Sequence, residues 1–326
     1  MKAVIWTKYG APDGLQLAEL PKPVPRRGEF LVRIRATAIA AGDCELRALR
    51  FSLGLRILVR LIMGPLRPRR KVLGQEFAGD VEAIGDGVTR FRVGEAVFGT
   101  TGFRFGAYAE FVALPERAGD SVVAIKPANM TYAEAATVPT GGLEALRFLR
   151  RAGALGGKRI VIVGAGGGIG LNAVQIARQL GADVTGIEGP DRQELVRSLG
   201  ASRVVDYTRA TVADCGGPFD VVLDVVGALS IRSALRVLRP GGVYLTTNPK
   251  LGALIRGSLG SLHRDKRLVI RGPRATVNDL EALREWVEGG QLRAVIDRSY
   301  PLEEVPEAHR YLDAGHAAGR VAIEVA

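Results

Sequence analysis

The sequence predicts an α/β chain in two parts, a β-rich lobe and a doubly wound parallel sheet covered by helices. Three observations carry this. Short apolar runs broken by Gly and Pro fill roughly the first third; from Thr131 strand-like and helix-like segments alternate; and RIVIVGAGGGIGLNAVQIARQLGADVTGIE (159–188) joins an apolar run, a knot of glycines, an amphipathic stretch and a second apolar run ending on an acid. A length of 326 residues lies near the size at which single cores split, so two domains are expected. With 47% hydrophobic and 24% charged residues, the composition is that of an ordinary globular protein.

In chain order, MKAVIW begins like a strand and lacks the charged-then-apolar pattern of a signal peptide, so a cytoplasmic location is the default expectation. FLVRIRATAI (30–39), FAGDVEAIG (77–85), EAVFG (95–99) and AYAEFVAL (107–114) are spaced as a twisted, barrel-like antiparallel β region. Between the first two lies FSLGLRILVRLIMGPLRPRRK (51–71), apolar with arginines interleaved. It is too short to span a membrane, because Arg56 and Arg60 interrupt it and Gly64-Pro65 breaks it. Three roles fit it: a lid over a lipophilic substrate, a weak anchor to an anionic lipid surface, or a solvated helix over the β lobe.

Thr131 and Glu134 have capping-box spacing and begin a helical stretch reaching about Leu149. After it RIVIV, LNAVQIARQL, DVTGI, RQELVRSL, RVVDY, FDVVLDVVG, SALRVLR, GVYLTT and RLVIRG alternate between the two periods, as strands of a parallel sheet and their covering helices do. The tail adds helices at DLEALREWVEG (279–289) and about 303–314, and a strand RVAIEV (320–325).

The net charge of +11 invites a nucleic-acid partner, but much of the excess is local: residues 46–75 hold eight Arg and Lys and no acid. No groove-reading module or aromatic platform accompanies them, so no nucleic acid is expected. Cys44 and Cys215 stand far apart, in neither disulfide nor zinc-module spacing. His263, His309 and His316 all fall in the last quarter and suggest no ligand set.

The glycine knot is the most specific feature. RIVIV is apolar enough for a buried parallel strand, and Gly164, Gly166, Gly167, Gly168 and Gly170, with Ile169 between the last two, form the turn that follows. Such a turn lets backbone approach a pyrophosphate without a Cβ in the way. Leu171, Val174, Ala177 and Leu180 then recur at helical spacing, and the helix points its free N–H groups and positive dipole end at the turn. The spacing is GxxGxxG on Gly164, Gly167 and Gly170 rather than GxGxxG. Strand, turn, helix, second strand and the terminal acid Glu188 nevertheless occur in the order of a Rossmann unit that holds NAD(H) or NADP(H).

With these landmarks the chain resembles the medium-chain dehydrogenase/reductases, and more closely their zinc-independent quinone oxidoreductase branch. EFLVRIRATAIAAGDCELR, VLGQEFAGDVEAIGDGVTRFRVGEAVFG, GAYAEFV, the glycine knot, VVDY, FDVVLDVVG, LRPGGVYLTT and IDRSYPLEEVPEAHRYLDAGHAAGRVAIEV carry the resemblance over nearly the whole length. It implies a GroES-like catalytic lobe from residues 1–125 and 272–326, a Rossmann nucleotide domain from 126–271, and a homodimer. Zinc relatives have a ligand His in a GHE segment and a Cys before the first short helix. Here Gln75 of LGQEFAG and Ala40-Ala41 stand there, Cys44 comes too late, and the four-cysteine lobe is missing, so no zinc is expected.

The resemblance also assigns the cofactor contacts. Glu188 would accept from the adenosine ribose and repel a 2′-phosphate, with Arg192 the one nearby cation that could favour NADPH. Tyr207 would lie by the ribose or pyrophosphate, Val225 and Val226 by the adenine, and Thr246, Thr247 and Asn248 by the nicotinamide. Three family handles are lost: an Asn where Ala40 stands, a Tyr near Glu45 and a Thr near Glu144. Asp43 and Tyr108 are left as the catalytic candidates, against the plainer roles of helix cap and packing. The activity implied is hydride transfer from NAD(P)H to a small lipophilic quinone or enone. The alternatives are a zinc-free alcohol dehydrogenase or carbonyl reductase, and a cofactor-binding regulatory protein without turnover.

Overall fold

The computed structural model describes residues 1–117, 120–248, 265–270, 272, 274–315 and 317–326. The chain divides into two compact units, Met1–Thr140 with Thr276–Glu288 and Arg293–Ala326, and Gly141–Ala275 with Gly289–Leu292. His263 and His316 lie outside the described residues.

The first unit begins with β1 (Lys2–Trp6) and β2 (Leu15–Glu19), an antiparallel pair. β3 (Glu29–Ile39), β4 (Glu76–Ile84), β5 (Ala96–Thr100), β6 (Phe111–Pro115) and β7 (Val122–Ile125) follow. β3 is the spine, paired with β4 along one edge and with β6 through Glu29–Arg33 on the other. The apolar runs thus become strands as predicted, and Trp6, Phe30, Phe77, Tyr108 and Leu114 close into a common core.

One element differs from expectation. The capping box forms, with Thr131 Oγ1 accepting the Glu134 amide at 3.2 Å and Glu134 Oε2 accepting the Thr131 amide at 2.8 Å. The helix it starts is only Tyr132–Ala136, and a second runs Pro139–Arg151. Val138 precedes a proline, which disfavours helical backbone there, and the break falls at that place. The short helix packs on β3 and β4 and belongs with the first unit, not with the nucleotide domain. The basic segment forms the helix Leu53–Met63, none of whose residues is buried. No described helix is long and apolar enough to cross a membrane.

The second unit holds β8 (Arg159–Val163), β9 (Asp183–Glu188), β10 (Arg203–Asp206), β11 (Phe219–Asp224), β12 (Leu238–Thr246) and β13 (Arg267–Val269). Their order is β10-β9-β8-β11-β12-β13, every pair parallel. β8 and β11 are chain-distant but adjacent, so the order reverses between them. That reversal opens a crevice past the carboxyl ends of the strands, where open α/β sheets bind ligands. Helix Gly168–Gln179 buries Leu171, Val174 and Ala177 as its spacing requires, and Gly181 follows its end with a φ of +81°.

The chain then returns to the first unit with β14 (Ile296–Pro301) and β15 (Arg320–Glu324). β15 pairs antiparallel with β3 through Ala36–Ile39, completing a seven-stranded sheet.

Candidate functional site

The glycine turn lies at the switch point. Gly164 takes a φ of +80°, its amide donates to Ile187 O at 3.0 Å, and its carbonyl accepts the Gly167 amide at 3.2 Å. A Cβ on Gly170 would stand 2.0 Å from Gly164 O, so helix and turn approach as only glycine allows. Gly167 caps the helix without a side chain, which leaves the first-turn amides directed at whatever occupies the crevice.

Glu188 ends β9 with only 7% exposure. Its Oε2 accepts the Gly166 amide at 2.6 Å and its Oε1 the Gly189 amide at 3.0 Å, so the acid braces the turn as well as facing the cavity. Each carboxylate oxygen keeps a lone pair for a ribose hydroxyl. Arg192 Nη1 stands 3.9 Å from Oε1.

A cavity of about 810 Å³ opens here, in the range of small-molecule and cofactor sites. Of the residues anticipated from sequence, Gly164, Gly167, Glu188, Arg192, Tyr207 and Val226 line it. Gly166, Gly168, Ile169 and Gly170 shape the turn behind that wall, and Val225 follows β11, its carbonyl accepting the Thr247 hydroxyl at 2.8 Å. Thr246 closes β12, with Thr247 and the exposed Asn248 just beyond it; none of the three lines the cavity.

Sequence reasoning missed Asp224, the buried last residue of β11. Its Oδ1 accepts the Gly227 amide at 2.8 Å, and its Oδ2 accepts the Leu229 amide at 2.8 Å and the Tyr244 hydroxyl at 3.1 Å. One carboxylate thus orders the loop carrying Val226. An acid inside FDVVLDVVG was the available signal, since a buried acid in an apolar strand must have partners. Ser230, Ser233 and Arg236, also lining, had no such signal.

The two catalytic candidates lie in the first unit, hydrogen-bonded to each other and almost fully buried. Asp43 Oδ2 accepts the Ala40 amide at 3.0 Å, bracing the start of helix Ala41–Ala48, and the Tyr108 hydroxyl at 3.1 Å. Tyr108 packs edge-on to His309, their ring centroids 5.7 Å apart. Burial pushes the Asp43 carboxyl up to about 6, against the hydrogen bonds that favour its charge, and drives the Tyr108 phenol up as well. The folded chain therefore holds the Asp43 proton more tightly than the unfolded chain. From this residue stability falls as pH rises from about 4 to about 6, by something on the order of 2 to 3 kcal/mol, and is level above. Asp43→Asn keeps an acceptor and removes the charge. Its unfolding free energy minus that of the parent is expected to grow across this window; a flat difference in denaturant titrations from acid to neutral pH would remove the buried charge from the account.

A parallel sheet reversing at a glycine turn, a side-chain-free helix start, an acid at the next strand end and a cavity of cofactor size are the parts of a dinucleotide-binding α/β unit. The comparisons agree. Residues 26–127 match the model of the alcohol dehydrogenase GroES-like domain, and 199–323 that of a family described as zinc-binding dehydrogenase. The chain is 31% identical to a quinone oxidoreductase of Pseudomonas aeruginosa, covering 98% of each, and 30% identical to the 2-methylene-furan-3-one reductase of Solanum lycopersicum, covering 99% of this chain and 79% of the relative. Among solved structures, the quinone oxidoreductase from Coxiella burnetii superposes with a TM-score of 0.86 at 26% identity, covering 100% of this chain and 99% of that one. The chain belongs to the medium-chain dehydrogenase/reductase superfamily, on its quinone oxidoreductase-like side.

Proposed function

We propose that this chain passes hydride from a reduced nicotinamide to a conjugated, lipophilic carbonyl acceptor, a quinone or an enone, without zinc and with NADH preferred. When bound, the nicotinamide supplies the hydride; the chain holds the diphosphate at Gly164–Gly170 and the ribose at Glu188.

The residues at the positions of the zinc ligands, and the one Cys and His near them, carry the reading. Gln75, where zinc relatives have their His, spends its amide on Gly102 O at 3.1 Å. Cys44 turns into the core, its Sγ 3.2 Å from His309 Nδ1, and Arg47 Nε donates to the same nitrogen at 3.3 Å. Burial pushes the Cys44 thiol far up and the neutral His309 down to about 3. Zinc needs a thiolate and tolerates no guanidinium on its imidazole, so this pair is a poor seat for it. The match to the zinc-binding dehydrogenase family starts at residue 199, beyond all these positions except His309.

An isolated carbonyl asks for a strong electrophile to hold the developing alkoxide. A conjugated acceptor spreads that charge over its own π system, so orientation and hydrogen bonds suffice and water can return the proton. The names of the Pseudomonas and Solanum relatives, a quinone oxidoreductase and a methylene-furanone reductase, support this acceptor class. Asp43 and Tyr108, buried and bonded to one another, are assigned to positioning helix Ala41–Ala48 rather than to delivering a proton. A homodimer belongs to the same reading and rests on the family resemblance alone.

Oxidation of NADH and NADPH with a panel of quinones, enones and simple aldehydes tests the proposal. Turnover is expected with the first two classes, and treatment with a chelator should leave it unchanged. Turnover with aldehydes alone would overturn the acceptor class, and tight cofactor binding without any turnover would favour a regulatory protein.

A further inference from the structure

Surface helices of globular proteins turn their apolar stripe to the core and their charges to water. Helix Leu53–Met63 departs from this: it buries none of its residues, and its most exposed side is apolar. Arg56, Val59, Arg60 and Met63 share one side and meet the protein. Arg56 Nε donates to Leu49 O at 3.2 Å, the Arg60 guanidinium stands 5.4 Å from the centre of the Tyr9 ring, and Met63 packs against the core of the first unit. Tyr9 fixes the helix end through a 2.7 Å hydrogen bond to Gly64 O. The opposite side carries Ile57, Leu58, Leu61 and Ile62, exposed by 53, 51, 61 and 63%, and Leu53 and Leu66 extend the apolar surface at 73 and 87%. A contiguous exposed patch of this kind marks a contact surface.

The surrounding charge selects the occupant. Arg67, Arg69, Arg70 and Lys71 are exposed just beyond the helix, and no acid occurs between residues 46 and 75. A second copy placed here would bring this basic stretch against its own like, at a repulsive cost. A surface both apolar within and negative outside fits both features. The helix has 11 residues, about 16 Å of rise, roughly half of what crossing a hydrocarbon core takes, so it can only lie along the interface.

We propose that the Leu53–Met63 helix and the Arg67–Lys71 stretch dock this protein onto an anionic lipid bilayer, with Ile57, Leu58, Leu61 and Ile62 entering the acyl boundary. The inference does not depend on the acceptor or on the cofactor chosen.

Flotation of the full chain with vesicles of phosphatidylcholine alone, and of phosphatidylcholine mixed with phosphatidylglycerol, tests it. The chain should float with the anionic vesicles and much less with the neutral ones. The double substitution Ile57→Ser/Leu61→Ser should weaken anionic binding by about tenfold or more. Arg67→Gln/Arg69→Gln/Arg70→Gln should lose about fivefold per cation that reaches the surface, and raised salt should mimic that loss. Thermal melting checks that the variants fold; if the serine variant does not, the glutamine variant carries the test. Absence of flotation, or equal flotation of parent and variants, would overturn the proposal. So would a parent oligomer that dissociates on Ile57→Ser/Leu61→Ser without any vesicle binding, since the face would then belong to a second copy.

Discussion

Gly170→Ala is expected to raise the dissociation constant for the dinucleotide by about a hundredfold or more, the equivalent of losing roughly 3 kcal/mol. On helix propensity alone the change would be favourable, since alanine outranks glycine inside a helix by up to about 1 kcal/mol. The space decides otherwise. The new Cβ would stand 2.0 Å from Gly164 O and 2.8 Å from the Ala165 carbonyl carbon, both backbone atoms. Relief means moving Gly164, whose amide is tied to Ile187 O at 3.0 Å across the β8–β9 edge, so the turn opens and its amides lose their common aim. Gly156→Ala is the control, because a Cβ there meets nothing within 4 Å and its φ is not positive. Calorimetric titration of NADH into both variants checks the result. Unchanged affinity in the Gly170 variant would mean that the crevice holds its ligand elsewhere.

The same turn shows how far sequence carries. The Gly164–Gly170 spacing, the strand before it and the acid at Glu188 were readable because each is dictated locally, by a chain that must bend sharply without side chains. Element type was readable in the second unit for a like reason, since buried parallel strands such as RIVIV are apolar throughout and their helices repeat at another period. β14, IDRSYP, escaped notice: it lies at the sheet edge, half-exposed, and its hydrophobic pattern is correspondingly weak. The break at Val138 was missed although Pro139 announced it, because the apolar spacing on either side suits one continuous helix.

Site residues divide in the same way. Those that act through backbone geometry were visible; those that act through a three-dimensional partner were not. Asp224 sits among apolar neighbours in sequence, and only the fold shows that three loop amides and the Tyr244 hydroxyl converge on it. Asp43 has the converse history. Its sequence position admitted both a cap for the helix that follows and a catalyst; in the structure it is the third residue of helix Ala41–Ala48, and its Oδ2 accepts the amide of Ala40 just before that helix and the Tyr108 hydroxyl.

Glu188→Ser is expected to lower the ratio of the NADPH to the NADH dissociation constant by about ten- to a hundredfold. The carboxylate faces the cavity while accepting the Gly166 amide at 2.6 Å, so it does two things at once. It offers lone pairs to a ribose 2′-hydroxyl and repels a 2′-phosphate, and it holds the glycine turn in shape. Serine is too short for the second task, so NADH affinity should fall as well, while NADPH gains from lost repulsion and from Arg192 on the same wall. Glu188→Gln separates the two. Its amide oxygen can still accept from Gly166 while its NH2 group gives up the bond from Gly189, so the ratio should shift with less loss of NADH binding than in the serine variant. If Glu188 served only to brace the turn, serine and, to a smaller degree, glutamine would each weaken both cofactors alike, and the ratio would stay fixed in both variants. A ratio that moves in the glutamine variant, where the Gly166 bond survives, reports what the carboxylate does at the cofactor's 2′ group and not what it does for the turn.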